Sequence, residues 1–266
     1  MKTKQLILGF SALLFCTILI VSCRKTQDRD DASEVAQQNA IADIAFLDFA
    51  YMSDQVSKGP QYFKTFNGDC TTLSYDTIAN TISATINFGT ADCLCNDGKK
   101  RRGQVLIQYS VDYTSAGAIS TVTPTNYYVN GNLIEGIRTA TISNNVDVVN
   151  IVSSATITPE NGSGTITWNS TRERVYTGNT NAPNILAGKS YEETGNSTGT
   201  TIRGNTFTID ITQALKIQAG CRWIKAGLIT IHADNFKNDA TVDYGDGTCD
   251  SKAKLKYGKK EVDLNL

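Results

Sequence analysis

Apolar residues recur at two different periods along this chain, and the change of period divides it. Between Ser33 and Val56 they fall at three- and four-residue steps, at Val35, Ile41, Ile44, Leu47, Tyr51, Met52 and Val56. That spacing predicts an amphipathic helix over residues 33–58, stopped by Gly59-Pro60. The opposite side of the helix carries Asp43, Asp48 and Asp54 rather than lysines, so it is expected to pack on a sheet and not on a lipid surface. From about Tyr62 to Leu266 the period drops to two. Val105, Ile107, Tyr109, Val111 and Tyr113 alternate with Leu106, Gln108, Ser110 and Asp112; Phe207, Ile209 and Ile211, and again Val262, Leu264 and Leu266, alternate with polar residues. One buried face and one wet face is the pattern of an antiparallel sheet.

Turn residues interrupt these runs at hairpin spacing, at Asn130-Gly131, Glu160-Asn161-Gly162, Arg203-Gly204-Asn205 and Tyr257-Gly258, so neighbours in sequence should be neighbours in the sheet. About a dozen strands with one apolar face must gain a second layer or curl. The fold expected is mainly β: an antiparallel meander forming a sandwich or a strongly curved sheet, with one N-terminal amphipathic helix packed on it. Residues 62–266 read as a single all-β domain, since no Pro/Gly-rich linker divides them.

Composition narrows the function classes. The 266 residues carry 25 Lys+Arg against 26 Asp+Glu, a net charge of -1, which excludes nucleic-acid binding driven by net positive charge. A single histidine, His232, leaves little scope for metal or triad chemistry, and its phase along the strand puts it on the exposed side. No phosphate loop, nucleophile elbow or dinucleotide fingerprint is present, and no cofactor is expected.

The N-terminus is a different matter. Lys2 and Lys4 precede an apolar run from Leu6 to Val21 that is short for a membrane span and closes on Ile20-Val21-Ser22-Cys23. This resembles the lipobox of bacterial lipoproteins, in which the cysteine is diacylated on sulfur, the signal is cut before it and the new amine is acylated. The resemblance implies a signal peptide at 1–22, lipidation at Cys23, and a charged, solvated tether over 23–32. Three acyl chains exceed the two signals that suffice for stable anchoring, so the membrane is the first expected partner. The short acidic stretch after Cys23 is similar to surface-export signals of Bacteroidetes lipoproteins, and the expected location is the bacterial outer membrane, on its surface or periplasmic face.

Outside the cytosol disulfides persist. Cys70 and Cys93 bracket two strand-like runs, and Cys221 and Cys249 bracket two more, which predicts a pair of cysteine-clasped hairpins, Cys70 to Cys93 and Cys221 to Cys249. Cys95 is left as a free thiol or as the alternative to Cys93; the Cys93-Leu94-Cys95 spacing suits neither zinc nor redox chemistry.

Several segments, among them Ile86-Asn87-Phe88-Gly89, Asn126-Tyr127-Tyr128-Val129-Asn130-Gly131-Asn132, Ile166-Thr167-Trp168 and Asp243-Tyr244-Gly245-Asp246-Gly247-Thr248-Cys249-Asp250, resemble a family of uncharacterised lipoproteins of Bacteroidetes. The resemblance implies an envelope location and β architecture, and transfers no catalytic residue.

Other candidates are weaker. Asp243, Asp246 and Asp250 offer hard oxygens for calcium, though a Gly-Asp-Gly turn explains the same residues. Glu173, Glu192, Glu193 and Asp210 are the acids from which a glycosidase pair would be drawn. Tyr127, Tyr128, Trp168, Tyr176, Tyr191 and Trp223 are mostly core, with some rings available for sugars; Lys99-Lys100-Arg101-Arg102 reads as a solvated hairpin tip, and Asp76-Thr77-Ile78 resembles a short O-glycosylation acceptor. The expected function is a membrane-anchored, non-catalytic envelope lipoprotein engaged in binding, adhesion or structural interaction with a glycan or protein. The alternatives are a half-barrel carrier of a hydrophobic ligand and a carbohydrate-active enzyme. An apolar cavity of several hundred cubic ångströms under residues 41 to 56 would favour the carrier.

Overall fold

Every strand on the main path pairs antiparallel with its predecessor on that path, so the meander predicted from the turn residues is what the chain forms. A computed structural model describes residues 4–57, 59, 71–145, 147–177, 190–218, 221 and 223–266, with side chains of the helix from Asp31 onward. Pro60, Cys70 and the side chain of Cys23 lie outside the described residues, and with them the Pro60 half of the helix stop, the first half of the Cys70 to Cys93 bridge and the lipidation site.

The strands are β1 (Thr72–Ile78), β2 (Thr81–Asn87), β3 (Cys93–Leu94), β4 (Lys100–Ser110), β5 (Ile119–Val129), β6 (Asn132–Ile142), β7 (Val148–Thr158), β8 (Ile166–Thr177), β9 (Ser190–Thr200), β10 (Thr206–Ile217), β11 (Ile224–Ala233), β12 (Ala240–Asp246), β13 (Lys252–Tyr257) and β14 (Lys260–Asn265). Their order in the sheet is the order in sequence, except that β2 pairs β4 while β3 hangs on the outer end of β4. The result is one open, curled sheet instead of a two-sheet sandwich. Asn130 at φ 48° and Gly131 at φ 81° supply the left-handed turn between β5 and β6.

Curvature is built into the strands. Gly136 in β6 and Gly195 in β9 sit at φ 134° and 124°, and a Cβ there would lie 2.0 Å and 2.2 Å from the carbonyl oxygens of Ser154 and Thr171 on the neighbouring strands. Only glycine allows so close an approach. Register shifts in β10 against both neighbours, and between Arg102 and Gln104 in β4, add local twist.

The curl closes around α1 (Lys4–Ser57), one continuous helix of 54 residues that ends with Gly59 at φ 108° donating its N–H to the Val56 carbonyl at 3.1 Å. It starts well before Ser33. The stretch 24–31, expected as a solvated coil, belongs to the helix, for it contains neither Gly nor Pro to break one. Asp31 holds its folded end, accepting from Asn235 Nδ2 at 2.9 Å and Arg203 Nη1 at 3.2 Å.

Between residues 31 and 57 only Gln37 and Tyr51 are exposed, because the sheet wraps the helix on nearly all sides. Phe46, Phe49, Met52 and Val56 are buried against Ile86, Ile107, Tyr127, Ile134 and Trp168 in one continuous core. Of the predicted stripe, Val35, Met52 and Val56 are fully enclosed, Ile41, Ile44 and Leu47 are half-buried, and Tyr51 points outward. Asp43 and Asp48, expected on a free face, are buried as well.

Cys221 and Cys249 are disulfide-bonded across the β11–β12 hairpin, with Cα atoms 5.9 Å apart and a sequence separation of 28. Cys93 is disulfide-bonded too, and Cys95 is a free, buried thiol. Replacing both Cys221 and Cys249 by Ser is expected to lower the unfolding free energy by roughly 3 kcal/mol through the freed chain entropy. Denaturant midpoints of variant and parent under oxidising conditions check this; equal midpoints would show that the bridge adds nothing.

Candidate functional site

The chemistry-bearing side chains gather in a polar seam between α1 and the concave face of the sheet. Strand alternation puts them there. On β8 the inward positions read Ile166, Trp168, Ser170, Arg172, Arg174, Tyr176, so two guanidiniums enter a row that is otherwise apolar or neutral. Arg101 on β4, Arg138 on β6 and Glu193 on β9 point inward in the same way.

At one end, Arg101 has no exposure and is fully engaged. Its Nη2 donates to Asp48 Oδ2 at 2.5 Å and Asp97 Oδ2 at 2.7 Å, its Nη1 to Asp97 Oδ1 at 2.8 Å, and its Nε to the Tyr127 hydroxyl at 3.2 Å. Lys99 adds a second donor to Asp48 at 2.8 Å. The basic run is therefore no solvated tip. Only Lys100 is left fully to water, while Arg102 lies 3.6 Å over the Tyr128 ring and pairs with Asp92 at 2.7 Å. The reason is period two: Arg101, two residues before Gly103, keeps the phase of the inward Val105, Ile107 and Tyr109.

In the middle, Arg172 Nη2 donates to Asp43 Oδ1 at 2.5 Å and its Nη1 to Glu193 Oε2 at 3.3 Å, while Arg174 reaches Glu193 Oε1 through Nη2 at 2.7 Å and Nε at 2.9 Å. Arg174 also lies 3.7 Å over the Tyr191 ring. Asn39 accepts from Trp168 Nε1 at 2.9 Å and donates to Asp43 at 2.8 Å. Burial raises the Asp43 carboxyl, against the pull of Arg172. Burial would raise Glu193 also, but Arg174 and Arg172 outweigh it and hold the carboxyl below its usual range. Asp97 is lowered similarly, its burial outweighed by the hydrogen bonds and charge of Arg101.

These shifts set the acid response. Carboxyls depressed by folding stabilise the protein above their unfolded values and lose that stabilisation as pH falls through their folded values. Glu193 and Asp97 act in this sense from about pH 4.5 and 3.8 downward, and Asp43, raised, acts in the opposite one. With Glu193, Asp97 and the surface Asp246, which Thr248 lowers through its hydrogen bonds, against Asp43, thermal midpoints are expected to fall as pH is lowered from 5 to 3, and a Glu193→Gln variant should lose part of that slope. A wild-type midpoint that rises over this range would contradict it.

The other predicted groups do not converge. Asp243, Asp246 and Asp250 each accept the backbone N–H two residues on, from Gly245 at 2.9 Å, Thr248 at 3.2 Å and Lys252 at 3.0 Å, so each closes its own turn. Among the described residues no group of three or more His, Cys, Asp or Glu could hold a metal ion. Glu173 is exposed, Glu192 pairs with Lys216 at 3.4 Å on the surface, Asp210 faces His232, and Glu193 is locked inside, so they form no acid and base pair across a cleft. His232 lies exposed with Nδ1 2.7 Å from Asp239. Burial pushes the Cys95 thiol up, which makes it a poor nucleophile. Tyr127, Trp168, Tyr176 and Tyr191 are core; Tyr128 and Trp223 are half-buried. Thr77 is exposed on edge strand β1.

Among the described residues two cavities lie along the seam, each of about 40 Å³, one beside Ile44, Leu47 and Trp168 and one beside Ser53, Tyr109 and Tyr176. Such volumes admit a few waters and no acyl chain. No protein-family model, curated protein or solved structure matches this chain.

Proposed function

We propose that this chain is a lipid-anchored protein of the bacterial cell envelope, of the uncharacterised Bacteroidetes lipoprotein type, whose folded part is a rigid, non-catalytic module that binds a glycan or protein with its outer surface. The observation that carries this reading is how fully the interior is used: α1 fills the concave face, its acids are matched by strand arginines, and the cavities along it are about 40 Å³. A half-barrel carrier needs an apolar cavity roughly ten times larger under the same residues. The enzymatic reading needs two carboxylates facing one another across a cleft, and the buried one here is held ionised by two arginines.

The continuous helix supports the anchored arrangement. Asp31, the first residue whose side chain is described, lies eight positions after Cys23, so a helical stalk would hold it about 12 Å from the acylated residue. Such a stalk keeps the module close to the bilayer and limits the surface it presents to partners. After processing, the mature chain would carry a net charge near -3, too little for anionic lipids to draw it down, so the acyl chains do the holding.

Native mass spectrometry of the full-length protein purified from a bacterial envelope in mild detergent tests both halves of the proposal. The expected mass is that of a chain beginning at a triacylated Cys23, with no further non-covalent lipid, and a Cys23→Ser variant should lack the acyl mass. An intact N-terminus, or a hydrophobic molecule retained by the Cys23→Ser variant, would overturn the reading.

A further inference from the structure

One side chain in the seam has no counterpart. Arg138 is 5% exposed and, among the described residues, makes no hydrogen bond or ion pair. It borders both cavities. Glu193 and Asp54 act on it through space, without a direct contact. Burial, reinforced by the charge of Arg174, brings its guanidinium down to about 10. Arg172 borders the first cavity as well, and its Nε is a buried donor with no acceptor. Around that cavity stand three guanidiniums, Arg138, Arg172 and Arg174, against two carboxylates, Asp43 and Glu193. Among these side chains the excess is one positive charge; Arg172 Nε lacks an acceptor, and Arg138 has no direct partner among the described residues. A buried charge without a counterion and a buried donor without an acceptor are both costly, and native interiors rarely leave either.

We propose that this cavity is a binding site for a small monovalent anion, a halide or a carboxylate of formate size, held by Arg138 and Arg172 Nε beside the Arg174 guanidinium. The site matches such an ion in three respects. One negative charge neutralises the excess. A spherical halide or a two-oxygen carboxylate accepts from donors on two sides at once. A space that admits a few waters has no room for an anion as large as gluconate. The ion would complete the core at the point where α1 crosses β6 and β8, so anion binding and helix docking would be linked, and the folded state would gain stability with anion concentration.

The test uses the full chain in non-ionic detergent at pH 7 and constant ionic strength, with sodium chloride or sodium formate replacing sodium gluconate, whose anion is too large to enter. Wild type is expected to unfold at a higher temperature in chloride or formate than in gluconate, with a shift that grows with the logarithm of concentration above the dissociation constant. A response to chloride alone assigns the site to halides, and one to formate alone assigns it to carboxylates. Arg138→Met is expected to melt above wild type in gluconate and to show no difference among the three salts. Identical wild-type midpoints in all three salts, or a full anion response retained by Arg138→Met, would overturn the proposal. Bromide anomalous scattering from wild-type crystals gives an independent readout should the variant fail to fold: a bromide within hydrogen-bonding reach of Arg138 supports the site, and a map with none there rejects it.

Discussion

Glu193→Gln is expected to lower the unfolding free energy by about 4 kcal/mol, although it changes one oxygen to an amide and leaves the side chain's volume almost unchanged. Glu193 is the direct acidic partner of Arg174, at 2.7 Å, and shares Arg172 with Asp43. Neutralising it leaves Arg138, Arg172 and Arg174 buried together with Asp43 as the one carboxylate in direct contact. Removing one member of a buried pair costs far more than the pair contributes, because the surviving charge stays desolvated. The neighbouring residue supplies the control. Glu192 is 41% exposed and pairs with Lys216 at 3.4 Å, so Glu192→Gln should cost less than about 1 kcal/mol. Denaturant titrations of the two variants give the comparison; equal losses would mean that water reaches the seam.

Trp168→Ala is expected to cost about 4 kcal/mol, by a different route. The ring is 1% exposed, packs 5.1 Å from Phe46, and donates its Nε1–H to Asn39 on the helix at 2.9 Å. Truncation removes the largest fully buried side chain and leaves Asn39 Oδ1 on α1 with only the weaker Ser197 Oγ donor at 3.3 Å. For a chain of this size the loss corresponds to a fall of roughly 8 to 16 °C in the thermal midpoint. Trp168→Phe keeps most of the volume and loses only the donor, so it should retain well over half of the stability that Trp168→Ala loses. If the two variants melt together, the hydrogen bond to Asn39 and not the packing dominates.

The parts of the fold that were legible in advance are those governed by local rules. Alternation along Val105 to Tyr109 and Phe207 to Ile211 told inward from outward, and Asn130-Gly131 marked a turn whose geometry only such residues adopt readily. The Cys221 to Cys249 clasp followed from spacing around a hairpin. What local rules could not distinguish was a polar helix face meant for water from one meant for buried cations. Asp43 and Asp48 have the periodicity of a solvated face, and their partners Arg172 and Arg101 lie 129 and 53 residues away. A signal was nevertheless present: Arg172 and Arg174 keep the same phase as Ile166, Trp168 and Tyr176, so arginines stood at core positions of a strand. Read together with acids on the helix, that phase implies a charged seam. The choice between sandwich and curl had no such marker, because it depends on close approaches at Gly136 and Gly195 that sequence does not display.

The enclosed helix also bears on how a ligand could enter. In a carrier the plug must leave, and every pair along the seam resists that. Opening α1 would expose Asp43 and Asp48 and take one buried carboxylate each from Arg172 and Arg101. The seam thus rivets the helix to the sheet in the same places where a ligand would have to enter.

That central claim, a helix built permanently into the sheet's concave face, is tested most directly by native-state hydrogen exchange of the α1 amides. The amides of residues 38 to 56 should exchange only through global unfolding, with the same free energy and the same denaturant dependence as the central strands β6 to β8. Exchange of those helix amides several kcal/mol below the global value, with the strands still protected, would reveal a helix that opens on its own and would contradict the account.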